Sequence, residues 1–151
     1  MLITIEGVRL FMRKDTSEIV EELGLCPDFQ TFYKENKDFM VSSNLATLLS
    51  QLLESKGLKK SQVIKNAELS EVYGYQIFSG IRIPEWKKLL CIAVGMKLNI
   101  EETQQLLKCA GYSQLYVKLP FDSIVLYGLC KSLTVVQINE LLYEYGLETL
   151  G

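Results

Sequence analysis

The stretch KKSQVIKNAELSEVYGYQIFSGIRIP, Lys59 to Pro84, decides how the chain is read. Helical periodicity runs through it, yet Gly74 sits between two tyrosines, where it costs about 1 kcal/mol of helix stability relative to alanine. Lys60 to about Ala67 fits a short helix, Glu68-Leu69-Ser70 a turn, and Ser70 caps a second helix ending at Gly80. Lys60 to Gly80 therefore predicts a helix-turn-helix, with the second helix steeply inclined to the first. Such a unit requires burial of Val63, Ile64 and Ala67 on the first helix, Leu69 in the turn, and Gly74 and Ile77 on the second. If Ile64 and Gly74 face each other at the crossing, the glycine becomes space opened for the larger side chain, because volume-conserving exchange is what a core tolerates best.

Around this pair the sequence predicts further helices. Ser43 and Asn44 offer caps for a helix in which Leu45, Leu48, Leu49, Leu52 and Leu53 form one stripe, closed by Lys56-Gly57. Pro84 opens another, carrying Trp86, Leu89, Leu90 and Ala93. Two later stretches align without gaps, LNIEETQQLLKCAGY (Leu98 to Tyr112) and LTVVQINELLYEYGL (Leu133 to Leu147). Each has a cap (Asn99 or Thr134), a Glu102 or Gln137 three residues later, a Leu-Leu pair and a closing glycine. Two copies are too few for a solenoid. Between them Asp122 caps IVLYGLC, a segment apolar on nearly every side and expected at the centre of the C-terminal helices.

Ahead of the leucine stripe, Asp15-x-x-Glu18 has the form of a capping box for a helix stopped by Gly24, with Pro27 just beyond. A second helix runs from Asp28 to about Lys37, with Phe29, Phe32 and Tyr33 on one side. The first eleven residues read as two short strands around a Glu6-Gly7 turn or as one irregular strand; a further reading starts the protein at Met12. The resulting division is an N-terminal extension over 1–42, a helix-turn-helix domain over 43–112, and a C-terminal helical subdomain over 113–151 packed on it.

Composition excludes several classes. A chain of 151 residues, 48% hydrophobic, buries a real core. No apolar run approaches the roughly 18 residues of a membrane span, and Glu6 and Arg9 interrupt what would be a signal peptide's apolar region. A soluble, cytoplasmic protein is expected. Cys26, Cys91, Cys109 and Cys130 are scattered and the chain has no histidine, so buried thiols are expected, not a zinc site. Without histidine, a phosphate loop or a paired-carboxylate signature, no catalytic residue, metal or cofactor is assigned.

The order of helices over about Leu45 to Leu107, KKSQVIKNAELS as first helix and turn, and the QIFSGIRIP ending resemble the Xre and lambda-repressor family, five-helix DNA-binding domains of bacterial and phage regulators. YGYQIFSG and INELLYEYGLETL resemble Xre-type regulators with extra terminal helices. The resemblance implies an all-α fold, a lambda-repressor-like helix-turn-helix core with N- and C-terminal additions, binding double-stranded DNA as a homodimer. Three positions depart from the family: Ile64 replaces its usual alanine, Glu68 its turn glycine, and Gly74 its valine or isoleucine.

On this reading Ser70 caps the recognition helix, and Glu71, Val72, Tyr73, Gln76 and Ser79 lie at its outward side or exposed start. Gln76 matches adenine, Glu71 the cytosine amino group, and Val72 a thymine methyl. Lys59, Lys60, Lys65 and Arg82 form a phosphate-positioning set. Tyr73, Tyr75 and Phe78 are expected to pack. Although the net charge is −2, Asn44 to Lys97 holds eight cationic side chains against four acidic ones, a net of +4. The alternative is a protein-interaction module that keeps the fold but has lost DNA, favoured by Glu68 and Glu71, with the terminal helices as a further partner surface.

Overall fold

A computed structural model describes residues 2–5, 8–11, 15–40 and 45–151. The fold is all-α apart from one N-terminal ribbon, with nine α-helices among the described residues. Strands β1 (Leu2–Ile5) and β2 (Val8–Phe11) pair antiparallel, Leu2 opposite Phe11 and Ile5 opposite Val8, so the two-strand reading holds. The proposed Glu6-Gly7 turn, Met12, and the Ser43 and Asn44 caps lie outside the described residues.

Helix α1 (Thr16–Leu25) continues through Gly24 and ends at Cys26, which is extended because the following Pro27 disfavours helical backbone. The capping box expected at Asp15 does not form, since its side chain makes no cap hydrogen bond. Helix α2 (Phe29–Asn36) is capped by Asp28, whose carboxylate accepts from Thr31 N at 2.7 Å and is held below its usual range by that bond. Of the three aromatics on α2, only Phe32 is buried. Buried Asn36 ties the two helices together, donating to Glu22 Oε2 at 3.0 Å.

The principal core begins at α3 (Leu45–Lys56), whose five stripe leucines are all buried. Helices α4 (Lys60–Asn66), α5 (Glu71–Phe78), α6 (Trp86–Gly95) and α7 (Ile100–Cys109) follow, then α8 (Pro120–Cys130) and α9 (Val135–Glu144). Buried side chains from Leu45 to Leu150 form one continuous cluster. Helix α6 lies at its centre, burying every residue from Leu89 to Gly95.

One connection recurs. At Gly57, Glu68, Lys97 and Ser132 the backbone turns left-handed (φ +64, +58, +55 and +53°), and the leucine that follows donates its N–H five residues back. These bonds are Leu58 to Leu53, Leu69 to Ile64, Leu98 to Ala93 and Leu133 to Gly128, the glycine-type helix ending with an apolar residue behind it. Three of the four are followed by a side-chain cap: Ser70, or a full capping box at Asn99 and at Thr134. Only one of the four left-handed positions is the expected glycine.

Two expectations about the later helices are corrected. Asp122 does not cap α8, which begins at Pro120; its buried carboxylate instead accepts from Tyr116 N at 2.8 Å. The IVLYGLC segment buries Val125, Leu126 and Leu129, but Tyr127 and Cys130 face outward. Cys130 is therefore exposed and Cys26 and Cys109 are half-buried, leaving Cys91 as the one buried thiol among the described residues, pushed up to about 11 by burial.

Helices α4 and α5 meet as their sizes predict. A Cβ on Gly74 would lie 2.6, 2.7 and 2.8 Å from Ile64 Cγ1, Cγ2 and Cδ1. Behind α4, a Cβ on Gly95 would lie 2.9 Å from Ala67 N and 3.0 Å from Val63 O, so α6 touches the backbone of α4 directly.

Ile64→Ala is expected to cost about 2–5 kcal/mol and Gly74→Ala about 1–3 kcal/mol. The double variant should fall short of their sum by at least about 0.5 kcal/mol, since each change relieves the other; additive values in denaturant unfolding would refute the contact. Glu68→Gly should raise stability by up to about 1 kcal/mol by removing left-handed strain from a side-chain-bearing residue. An unchanged or lower unfolding midpoint would contradict it.

Candidate nucleic-acid interface

Helix α5 presents an outward face on which Glu71, Val72, Tyr75 and Ser79 are exposed and Gln76 is half-buried. On a 3.6-residue period Val72, Gln76 and Ser79 lie opposite the buried Gly74, Ile77 and Phe78. Val72 is 70% exposed, and Glu71 and Ser79 are also exposed. Tyr75, expected to pack, is 45% exposed and belongs to this face, whereas Phe78 is buried. Tyr73 is half-buried, not outward-facing. The α5 start is held by Ser70, whose hydroxyl accepts from Tyr73 N at 3.3 Å, and Glu71 sits in the first turn where the helix dipole favours a carboxylate.

The four cations of the predicted set are all exposed. Lys59 and Lys60 stand at the start of α4, Lys65 in its last turn, and Arg82 in the loop after α5. No ion pair engages any of them among the described residues, whereas Lys56 pairs with Glu102 at 3.1 Å and Lys87 with Glu148 at 2.9 Å. A cleft of about 340 Å³ between α4 and α5 is lined by Gln62, Lys65, Glu71 and Tyr75, among others.

The loop from Ser79 to Glu85 is fixed at both ends. Gly80 is left-handed (φ +84°), and Ile81 N and Arg82 N both donate to the Gln76 carbonyl, at 3.0 and 3.2 Å. Farther on, the Tyr112 hydroxyl donates to Pro84 O at 2.7 Å. Pro84 itself precedes the helix: α6 starts at Trp86 with Glu85 as its cap. Arg82 turns back onto α5, where its Nε donates to Gln76 Oε1 at 3.1 Å and its guanidinium lies 5.3 Å from the Tyr73 ring centre. This Arg82–Gln76–Tyr73 cluster joins residues that sequence periodicity separates, because the helix ends between them; no sequence signal marks it.

The C-terminal segment docks elsewhere, and strand β2 packs against α3. Trp86 meets Phe121 at 5.3 Å, Glu148 pairs with Lys87, and Leu150 N donates to Asn139 Oδ1 at 2.8 Å, all on the α6, α8 and α9 side. Between Leu45 and Lys97 the net charge is +4, against −5 for residues 15–40 and −3 for residues 98–151. Among the described residues no cluster of His, Cys, Asp and Glu could hold a metal ion, and no helix is long and apolar enough to cross a membrane. No protein-family model, curated protein or solved structure matches the chain.

One local cost stands out. Lys59 occupies the cap position of α4 with no side-chain hydrogen bond, and Lys60 follows it at the positive end of the helix dipole. Lys59→Ser should stabilise the protein by about 0.5–1 kcal/mol by supplying the missing cap. Thermal unfolding checks this, and a lowered midpoint would contradict the assigned cap geometry.

Proposed function

We propose that the chain is a sequence-specific DNA-binding transcriptional regulator of the lambda-repressor and Xre type, without catalysis of its own. In this reading α3 to α7 are the five-helix core and α4–α5 its helix-turn-helix, with α5 entering the major groove. The observation that carries the reading is the exposed Glu71, Val72, Tyr75 and Ser79 of α5, together with exposed Lys59, Lys60 and Lys65 on α4 and Arg82 in the following loop, none of them paired to a carboxylate among the described residues. Exposed cations without a carboxylate partner are what phosphate neutralisation needs. Left-handed Glu68 also fits the family's turn glycine, and the Ile64–Gly74 contact accounts for the other two departures as one exchange.

A single α5 of eight residues spans too few base pairs for specific recognition. The regulator therefore acts as a homodimer in the cytoplasm, on half-sites about 34 Å apart or a multiple of that.

A second reading, a protein-binding module that keeps this fold, is favoured by one observation. Val72, Tyr75, Ile81 and Ile83, on α5 and in the loop after it, are all exposed, Ile81 at 77%. Exposed apolar side chains of this kind suit a protein partner better than a phosphate backbone.

Fluorescence anisotropy with random-sequence and pooled genomic duplexes separates the two. DNA binding should weaken steeply with salt, and changing Lys59, Lys60 and Lys65 together to alanine should lower the slope of log K against log salt by roughly 0.9 for each phosphate no longer neutralised. Absence of salt-dependent binding at micromolar protein would remove the DNA reading. Capture of one protein partner by the same sample would then establish the second.

A further inference from the structure

We propose that Arg82 and Gln76 act as one donor-only fork that selects guanine over adenine in the major groove. The inference rests on the DNA-binding reading above and specifies which base the outward face of α5 prefers.

A glutamine amide reads adenine by using both its ends: the oxygen accepts from the adenine amino group while the nitrogen donates to N7. In this protein one lone pair of that oxygen is already taken, because Arg82 Nε donates to Gln76 Oε1 at 3.1 Å. Arginine carries only donors, so the amide must turn its oxygen toward Arg82 and its NH₂ away. An adenine amino group approaching that oxygen would also meet the guanidinium, donor against donor. What the pair offers a base is the NH₂ of Gln76 beside the remaining N–H groups of Arg82. Guanine presents the matching edge, two acceptors, O6 and N7. The guanidinium charge favours those acceptors further.

The fork is also held in place before any base arrives. Arg82 N donates to Gln76 O at 3.2 Å, fixing the backbone of one residue to that of the other. The guanidinium lies over the Tyr73 ring, whose hydroxyl accepts from Glu85 N at 3.4 Å. Gly80, left-handed at φ +84°, allows the chain to double back so that residues six apart meet. A positioned arginine loses little freedom on binding, which favours readout over loose phosphate contact.

Selection from a randomised duplex pool at low salt, with the full-length wild type, Gln76→Ala and Arg82→Ala, tests this. The wild type should enrich a motif with a guanine in each half-site whose replacement by adenine weakens binding about ten- to a hundredfold. Gln76→Ala should abolish the preference at that position. Arg82→Ala frees the amide oxygen and should convert the preference there to adenine. Circular dichroism confirms that both variants remain folded. Adenine enriched by the wild type at the Gln76-dependent position would overturn this inference and leave the DNA reading intact, as would an identical motif from all three proteins. Absence of salt-dependent binding by the wild type would overturn the DNA reading, and this inference with it.

Discussion

The placement of α5 depends on how closely α4 can approach it, and that is set by Ile64 and Gly74. Any side chain at residue 74 would overlap three atoms of Ile64. The isoleucine thereby fills what would otherwise be a hole between two short helices, and the glycine's helix cost of about 1 kcal/mol is offset by burial of a large side chain. Helix α4 is in turn gripped from behind, where Gly95 brings α6 against the backbone at Val63 and Ala67. A helix of seven residues has little stability alone, so its orientation is inherited from these two contacts. Everything α5 displays outward follows from them.

The same solution appears a second time in mirrored order. In α8–α9 the small residue comes first, Gly128, and the isoleucine second, Ile138, with a Cβ on the glycine falling against Ile138 Cγ1 at 2.5 Å. The turn between is again a left-handed residue, a leucine bonded five residues back, and a hydroxyl cap. The constraint is therefore the combined size of the two crossing side chains, not which helix carries the larger one. The α6–α7 pair meets the constraint with neither extreme, burying Ala93 and Thr103 at the equivalent positions. Shared packing requirements of this kind explain the internal echo between α7 and α9 as well as duplication does.

Local signals were legible and bridging ones were not. The leucine stripe of α3 and the caps at Ser70, Asn99 and Thr134 could be read because each rests on residues a few positions apart or on one helix period, and the Ile64–Gly74 pairing because a short turn joins the two helices and the two residue sizes are complementary. Asp122 misled because Pro120 starts α8 earlier and Tyr116 N, in the preceding loop, takes the carboxylate. Tyr75 faces outward against expectation, while Tyr73 packs as expected and also lies under Arg82, brought there by a loop whose path no periodicity describes. The alignment of Arg82 with Gln76 was hidden for the same reason, since Gly80 ends the helix between them and reverses the chain.

The helix ends divide into finished and unfinished ones. Helices α7 and α9 begin with complete capping boxes, so this sequence has ready means of satisfying orphan N–H groups. Helix α4 begins with two lysines, one of them standing uncapped at the position where serine or asparagine would stabilise it. The α4–α5 turn places glutamate, with a side chain, in a backbone region that favours glycine. Along the next few residues Val72, Ile81 and Ile83 keep apolar side chains in water. Each departure is tolerable alone; what matters is that they all fall within the one stretch from Lys59 to Ile83. Local rules broken together, on an element held in place by well-satisfied contacts behind it, are the pattern expected where stability has been exchanged for an interaction.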